Sequence, residues 1–212
     1  MPRRLALALA LLLAVPTCAQ AIPRKLPPVD QCKATPGLGA FRDGLKQIAA
    51  KRDGKALRVM LAPDVLVNFG GEAGPKAFAD TWHLNRGNSE LWPLLTQMLK
   101  LGCAGSGSSF VIPSLTDQLN PESADDIFDQ MLALPGAKLR KGFEPGSDTI
   151  AMLAWDLVTS IDRKGDDQTK VRLADGREGW LFDNELYAAM SYRMVIEKRR
   201  GKWMITALVA SD

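Results

Sequence analysis

KVRLADGREGWL, residues 170–181, is the stretch that decides the fold of the second half of the chain. Asp175-Gly176 predicts a tight hairpin, because glycine readily adopts the positive φ that such a reversal needs. On both sides of this turn, polar and apolar residues alternate with the two-residue period of a half-buried strand. Gly179 is expected to let a neighbouring backbone approach closely. The stretch therefore predicts two antiparallel strands.

The preceding residues follow the same pattern, and the period changes from helical to β at Phe128. Short strands separated by tight turns predict a small β-barrel over residues 128–189, with its interior filled by side chains. Recognition by such a barrel must use loops and exposed aromatic residues, and Phe143, Trp155 and Trp180 are the candidates. The strands are predicted at residues 130–134, 137–140, 150–153, 157–161, 169–173 and 179–181.

Residues 128–188 resemble the bacterial SH3-like (SH3b) family of exported and envelope proteins. KVRLADGREGWL matches the motif that ends these barrels, and Asn184-Glu185-Leu186 looks like the one-turn helix that closes them. Thr169 and the residue before it replace a customary tryptophan, so one surface aromatic is absent. The resemblance implies a binding module for cell-wall peptides or envelope proteins.

The sequence predicts that the N-terminal part is mainly helical. After an extended, proline-rich leader at residues 22–37, an α-rich domain is predicted over residues 38–113. It contains one strand at 65–69, a flexible loop at 105–109 and a short strand at 110–113. The predicted helices start near Phe41, at Lys55 after the capping residue Asp53, at Pro75, and after the capping residue Ser89. Residues 114–127 read as a linker.

Residues 190–212 alternate around Arg200-Gly201 and predict a C-terminal β-hairpin. Together with residues 56–71, this hairpin resembles, more weakly, part of the nuclear-transport-factor-like (SnoaL-type) α+β cone. Two arrangements remain open: the hairpin completes the sheet of the N-terminal domain, or it extends the barrel. Either way, the predicted fold class is α+β.

The first 21 residues have the three parts of a secretory signal peptide. Arg3-Arg4 precedes an apolar run at residues 5–15, and small residues precede a cut after Ala21. The run is too short to span a bilayer. We expect a periplasmic or secreted protein with no membrane span.

Cysteine usage agrees with export. Cys18 leaves with the signal peptide, and Cys32 and Cys103 are expected to form a disulfide. On the chain-entropy model, closing a loop of this length stabilises the fold by roughly 4 kcal/mol. Two cysteines and one histidine do not suffice for a structural zinc centre, so neither metal nor cofactor is expected.

The nearly balanced charge of the mature chain excludes strong electrostatic binding of nucleic acid or an anionic membrane. The chain has 27 basic residues, and losing Arg3 and Arg4 leaves 25 against 24 acidic residues.

Catalysis has little support in the sequence. Common nucleophile, phosphate-loop and zinc-protease motifs are absent. His83 is the chain's one histidine, and Asp80 lies three positions before it, so the two could share a helix face. An ordinary surface role is expected for both. The sequence therefore predicts an exported, non-catalytic binding protein. The alternative is a small-molecule-binding or catalytic α+β cone domain with an appended barrel.

Overall fold

The computed structural model describes residues 25–119 and 127–210, which form an α+β fold with two sheets. The predicted signal peptide, the first residues of the leader and half of the predicted linker lie outside these ranges. In the described residues the helices are α1 (Leu38–Lys51), α2 (Gly54–Met60), α3 (Gly74–Thr81), α4 (Leu91–Met98) and α5 (Leu115–Leu119), with single 3-10 turns at Ile127–Asp129 and Asp183–Glu185. The strands are β1 (Leu61–Leu66), β2 (Ala104–Ser106), β3 (Ser109–Ile112), β4 (Gln130–Ala133), β5 (Ala137–Arg140), β6 (Thr149–Leu153), β7 (Asp156–Lys164), β8 (Gln168–Arg172), β9 (Glu178–Phe182), β10 (Leu186–Ala188), β11 (Tyr192–Arg199) and β12 (Lys202–Ala210).

The C-terminal hairpin lies in the middle of the five-stranded sheet, whose order is β1-β12-β11-β3-β2. Strand β12 runs parallel to β1, and β11 runs antiparallel to β3 with Val195 opposite Val111. The hairpin therefore completes the sheet of the N-terminal part, which is the first of the two arrangements left open by the sequence. The seven-stranded sheet is built from the chain between β3 and β11.

The helices confirm the capping signals in the sequence. The Asp53 carboxylate accepts hydrogen bonds from the backbone amides of Lys55 and Ala56 at 3.1 and 3.0 Å. Pro75 lies in the first turn of α3, where its missing donor costs nothing. The Ser89 hydroxyl accepts from the Leu91 amide at 3.2 Å, immediately before α4. Each helix buries apolar residues in a core that it shares with the five-stranded sheet.

Three details of the N-terminal part differ from the prediction. The strand predicted at 65–69 is β1, which begins at Leu61 and includes Pro63, because an edge strand tolerates a residue without an amide donor. The predicted flexible loop at 105–109 belongs to the β2–β3 hairpin, where Phe110 pairs with Gly105. Helix α5 lies inside the predicted linker.

The second sheet contains all six strands predicted for residues 128–189 and adds β10. Its order is β10-β4-β7-β8-β9-β5-β6. Gly176 has φ 86° in the β8–β9 turn, as the hairpin signal requires. A Cβ on Gly179 would lie 2.6 Å from the Arg140 carbonyl oxygen, which confirms the close approach of two backbones.

Closure of this sheet into an SH3-like barrel is not confirmed. Its strands surround one apolar core, but β6 and β10 stay as separate edges within the described residues. Strand β4 shows why the sheet is not a free-standing unit. Ala133 faces the core of the second sheet, whereas its neighbour Leu132 packs into the core of the helical part. The sheet is thus joined to the N-terminal part by shared burial.

The predicted disulfide between Cys32 and Cys103 is present, with 5.6 Å between the two Cα atoms. Both residues are fully buried. The Cys103 amide also donates to the Val29 carbonyl at 2.8 Å, and the Gln31 amide donates to the Cys103 carbonyl at 2.9 Å. The leader is therefore fixed to the chain that follows α4.

Candidate functional site

A cleft of about 930 Å³ lies where the helical layer meets the seven-stranded sheet. One wall comes from the end of α1 and from α4 with the residues after it. The opposite wall is formed by three turns at one end of the second sheet. These turns contribute Leu134, Pro135, Trp155, Asp183, Asn184 and Leu186.

Trp92 is the aromatic residue of the helical wall. It lies in the first turn of α4, and only 2% of its surface is exposed because Leu91 and Leu95 turn the helix toward the core. Its indole Nε1 is buried and donates to no acceptor among the described residues. A buried donor without a partner is costly to the fold.

Trp155 supplies the aromatic surface of the opposite wall. It lies in the turn between β6 and β7 with φ 61°, a left-handed conformation that costs a residue with a side chain about 1 kcal/mol. Two backbone hydrogen bonds of 2.8 Å maintain it: its amide donates to Ala133, and its carbonyl accepts from Leu26. The leader thus helps to form this wall.

The charged groups of the cleft are Arg52, Lys100 and Asp183. The Asp183 carboxylate is paired with Arg163 and accepts a hydrogen bond from the Thr169 hydroxyl at 2.7 Å. The Arg52 guanidinium donates to the Gly87 carbonyl at 2.7 Å and keeps its charge. The two cations are therefore not balanced by the one carboxylate.

The three aromatic residues predicted as binding residues do not form one site. Trp155 lines the cleft, whereas Phe143 and Trp180 form an edge-to-face pair on the second sheet with ring centroids 5.7 Å apart. The Lys164 ammonium lies 5.1 Å from the centre of the Phe143 ring. Sequence reasoning missed Trp92, because its neighbours in α4 have the spacing of a core-facing stripe.

Asp80 and His83 do not form a dyad. The Asp80 carboxylate pairs with Lys76 at 2.6 Å, and this hydrogen bond holds the pKa of Asp80 below its usual value. His83 follows the end of α3 with φ 48°, and its Nδ1 lies 3.1 Å from the Thr81 carbonyl oxygen. His83 lines a separate pocket of about 400 Å³, beside Trp82.

Residues 25–119 and 127–210 contain no group of three or more histidine, cysteine, aspartate or glutamate residues placed to hold a metal ion. In the same ranges, no helix has both the length and the apolar character needed to cross a membrane.

No family model matches the sequence, and no curated protein matches it. Among solved structures, the chain is similar to an NTF2-like protein of unknown function from Pseudomonas putida KT2440, with 9% identity over 86% of this chain and 88% of that one and a TM-score of 0.31. An NTF-2 like protein of unknown function from Shewanella oneidensis MR-1 has 12% identity, coverage of 82% and 96%, and a TM-score of 0.32. A putative ketosteroid isomerase from Shewanella frigidimarina NCIMB 400 has 10% identity, coverage of 81% and 91%, and a TM-score of 0.29.

Two of these structures are named as NTF2-like proteins. The N-terminal part and the last hairpin have their weaker sequence resemblance to the same nuclear-transport-factor-like fold. The TM-scores of these structures are too low to carry an argument about this chain. The resemblance of residues 128–188 to the SH3-like family gains no support from the comparisons.

Proposed function

We propose that the protein binds a small ligand, without transforming it, in the cleft between its helical layer and its seven-stranded sheet. The observation that carries this proposal is the position of Trp92 and Trp155 on different walls of one cleft. Its volume of about 930 Å³ falls in the range of small-molecule sites, which are mostly apolar with a few polar groups. The proposal is close to the small-molecule alternative that the sequence left open.

Binding fits the cleft better than catalysis does. A general base needs a pKa near the working pH and a group that orients it. The chain's one histidine, His83, lines a different pocket, and the Asp183 carboxylate is occupied by Arg163 and Thr169. The cleft thus offers apolar surface and hydrogen-bonding groups, which suit retention of a ligand.

We also propose that the protein acts in an oxidising compartment, either the periplasm or the medium. The buried Cys32–Cys103 disulfide supports this, because such bonds persist in exported proteins. Cell fractionation combined with thiol alkylation tests it. In the extracytoplasmic fraction, both cysteines should resist alkylation even after the protein is denatured without reductant. Recovery of the protein in the cytoplasm with free thiols would contradict the proposal.

Titration with the neutral fluorescent probe N-phenyl-1-naphthylamine tests binding in the cleft. We expect saturable binding with one site, and a loss of about fivefold in Trp155→Ala, since stacking on an aromatic side chain contributes on the order of 1 kcal/mol. Trp180→Ala is the matched control and should bind as the wild type does. Equal affinities of all three proteins, or no saturable binding, would refute the cleft as the site.

A second candidate function rests on Phe143 and Trp180, the pair that the SH3-like resemblance selected. Their edge-to-face contact beside Lys164 forms an aromatic surface that could engage a cell-wall peptide or an envelope protein. Pull-down of the full chain with purified peptidoglycan tests this. Salt-resistant retention that Phe143→Ala abolishes would support it, and no retention would remove it.

A further inference from the structure

The cleft presents more positive than negative charge to a ligand. Asp183 is its one carboxylate among the described lining residues, and Arg163 already neutralises that group. The Lys100 ammonium makes no hydrogen bond or ion pair with any described residue. Among the described residues, the Arg52 guanidinium is paired with a carbonyl oxygen, which does not cancel its charge. The field in the cleft is therefore positive.

Lys100 also lies between the cleft and a neighbouring hollow of about 360 Å³. In that hollow the Arg42 guanidinium makes two hydrogen bonds of 2.5 Å with the Asp30 carboxylate, and Lys46 pairs with Asp43 at 3.1 Å. Those charges are internally balanced. The Lys100 ammonium therefore stays available to pair with a ligand in the cleft.

The Lys100 ammonium is a charged donor at the far end of the helical wall. Lys100 lies two residues beyond the end of α4, and its ammonium has no acceptor among the described residues. A ligand group that accepts hydrogen bonds and carries negative charge would pair with this ammonium. A cationic group would be repelled by it.

Most of the remaining surface of the cleft is apolar, and Thr96, Gln97 and Asn184 add polar groups to it. Leu101 and Pro93 continue the helical wall beside Trp92, and Leu134 and Pro135 continue the opposite wall beside Trp155. Burying an apolar body between them contributes roughly 25 cal/mol for each Å² removed from water. This part of the cleft fits a hydrocarbon chain or a ring system.

From these observations we infer that the ligand is an anionic amphiphile, with its apolar body between Trp92 and Trp155 and its acidic group at Lys100. This inference rests on the proposed function and names the chemical class of the ligand for the same cleft. The acidic group is a carboxylate, sulfate or phosphate, each of which carries negative charge on oxygen atoms that accept hydrogen bonds.

Calorimetric titration with three amphiphiles of equal chain length tests the inference: dodecanoate, dodecanol and dodecylammonium, each below its critical micelle concentration. We expect dodecanoate to bind about fivefold more tightly than dodecanol, and dodecylammonium to bind most weakly, as a partly exposed ion pair contributes up to about 1 kcal/mol. Of the three amphiphiles, dodecanoate alone should bind more weakly when salt is added. Repeating the titration with dodecyl sulfate and dodecyl phosphate ranks the acidic groups.

Two variants locate the acidic group. Lys100→Gln should reduce the affinity for dodecanoate to that for dodecanol, and Lys100→Glu should reverse the order so that dodecylammonium binds best. Lys55→Gln, which removes an exposed lysine of α2, is the matched control and should change nothing. Equal affinities for the three amphiphiles, or an unchanged preference in both Lys100 variants, would overturn the inference while leaving the cleft as a binding site. Failure of all three amphiphiles to bind the wild type would overturn the proposed function as well.

Discussion

The backbone amide of Leu26 donates a hydrogen bond of 2.8 Å to the carbonyl oxygen of Trp155. The preceding residue, Lys25, donates to the Ala154 carbonyl at 2.9 Å and pairs with Asp156 at 2.8 Å. Further along the leader, Cys32 is bonded to the chain after α4. The leader therefore connects the turn that forms one wall of the cleft to the helical wall opposite it.

Removing the disulfide should destabilise the fold without changing its architecture. We expect the double variant Cys32→Ser, Cys103→Ser to lose about 2–4 kcal/mol in the free energy of unfolding, mainly because the unfolded chain gains freedom. Urea denaturation with and without reductant measures this. Reductant should weaken the wild type to the level of the double variant and leave the variant unaffected. An equal effect of reductant on both proteins would contradict the assignment.

Glu185 should stabilise the second sheet in a pH-dependent way. Burial opposes its ionisation, but hydrogen bonds from Arg140 at 2.7 Å and from the amides of Phe182 and Lys138 outweigh this and lower its pKa. A folded-state pKa below the unfolded value contributes stability that is present above about pH 4.5 and is lost as the pH falls through the folded value. Glu185→Gln should cost about 2 kcal/mol at pH 7 and much less near pH 3.

Urea denaturation of Glu185→Gln between pH 3 and pH 7 measures this difference. The matched control is Glu144→Gln at an exposed site, which should lie within about 0.5 kcal/mol of the wild type throughout. A constant difference between Glu185→Gln and the wild type across this range would refute the pH dependence.

Tyr187 should limit stability at alkaline pH. Burial raises its pKa to about 12, and its hydroxyl donates to the Tyr192 carbonyl at 2.9 Å. The unfolded chain loses this proton near pH 10, so the folded state holds more protons between pH 10 and 12 and stability falls as the pH rises. The difference between a pKa of 10 in the unfolded chain and about 12 in the folded protein corresponds to about 3 kcal/mol of stability.

Urea denaturation of wild type and Tyr187→Phe between pH 8 and pH 11.5 isolates this effect from other titrations. The variant should be about 1 kcal/mol less stable at pH 8, through loss of the hydrogen bond, but should show a shallower alkaline decline. Parallel declines of the two proteins would show that Tyr187 is not the group responsible.

The hairpin turn between β11 and β12 offers a stabilising substitution. Arg200 and Gly201 have φ 50° and 81°, the pair of positive angles found in type I′ turns, where asparagine is favoured first. Arg200→Asn should raise the free energy of unfolding by about 0.5–1 kcal/mol. Thermal unfolding measures this, and Arg200→Ala, which keeps the unfavourable conformation, should bring no gain. Stabilisation by alanine as large as that by asparagine would contradict the explanation.

Local signals in the sequence were sufficient to predict most of the helices and strands. The six strands predicted between residues 128 and 189, the capping role of Asp53 and the pairing of Cys32 with Cys103 depend on short-range rules or on residue supply, and each is present. The β2–β3 hairpin was missed because Gly105 and its serine-rich neighbours read as a flexible loop. Its pairing is stabilised by β11, which lies more than 80 residues later.

The cleft was harder to predict, because it lies between parts of the fold that are distant in sequence. Trp155 was a candidate, but nothing near it in the sequence indicated Trp92 as its counterpart. Closure into a barrel was predicted from a motif, whereas Leu132 and Leu157 pack into the core of the helical part. That burial depends on how the two sheets meet, which alternation along a strand does not encode.

Binding in the cleft places the ligand between Trp92 and Trp155. Nitrogen-15 NMR of the indole groups locates the ligand, since the chain has five tryptophans and each gives one indole signal. On titration with dodecanoate, the Trp92 and Trp155 signals should shift saturably, with little change at Trp180 and Trp203. Saturable shifts at Trp180, with the Trp92 and Trp155 signals unmoved, would refute binding in the cleft.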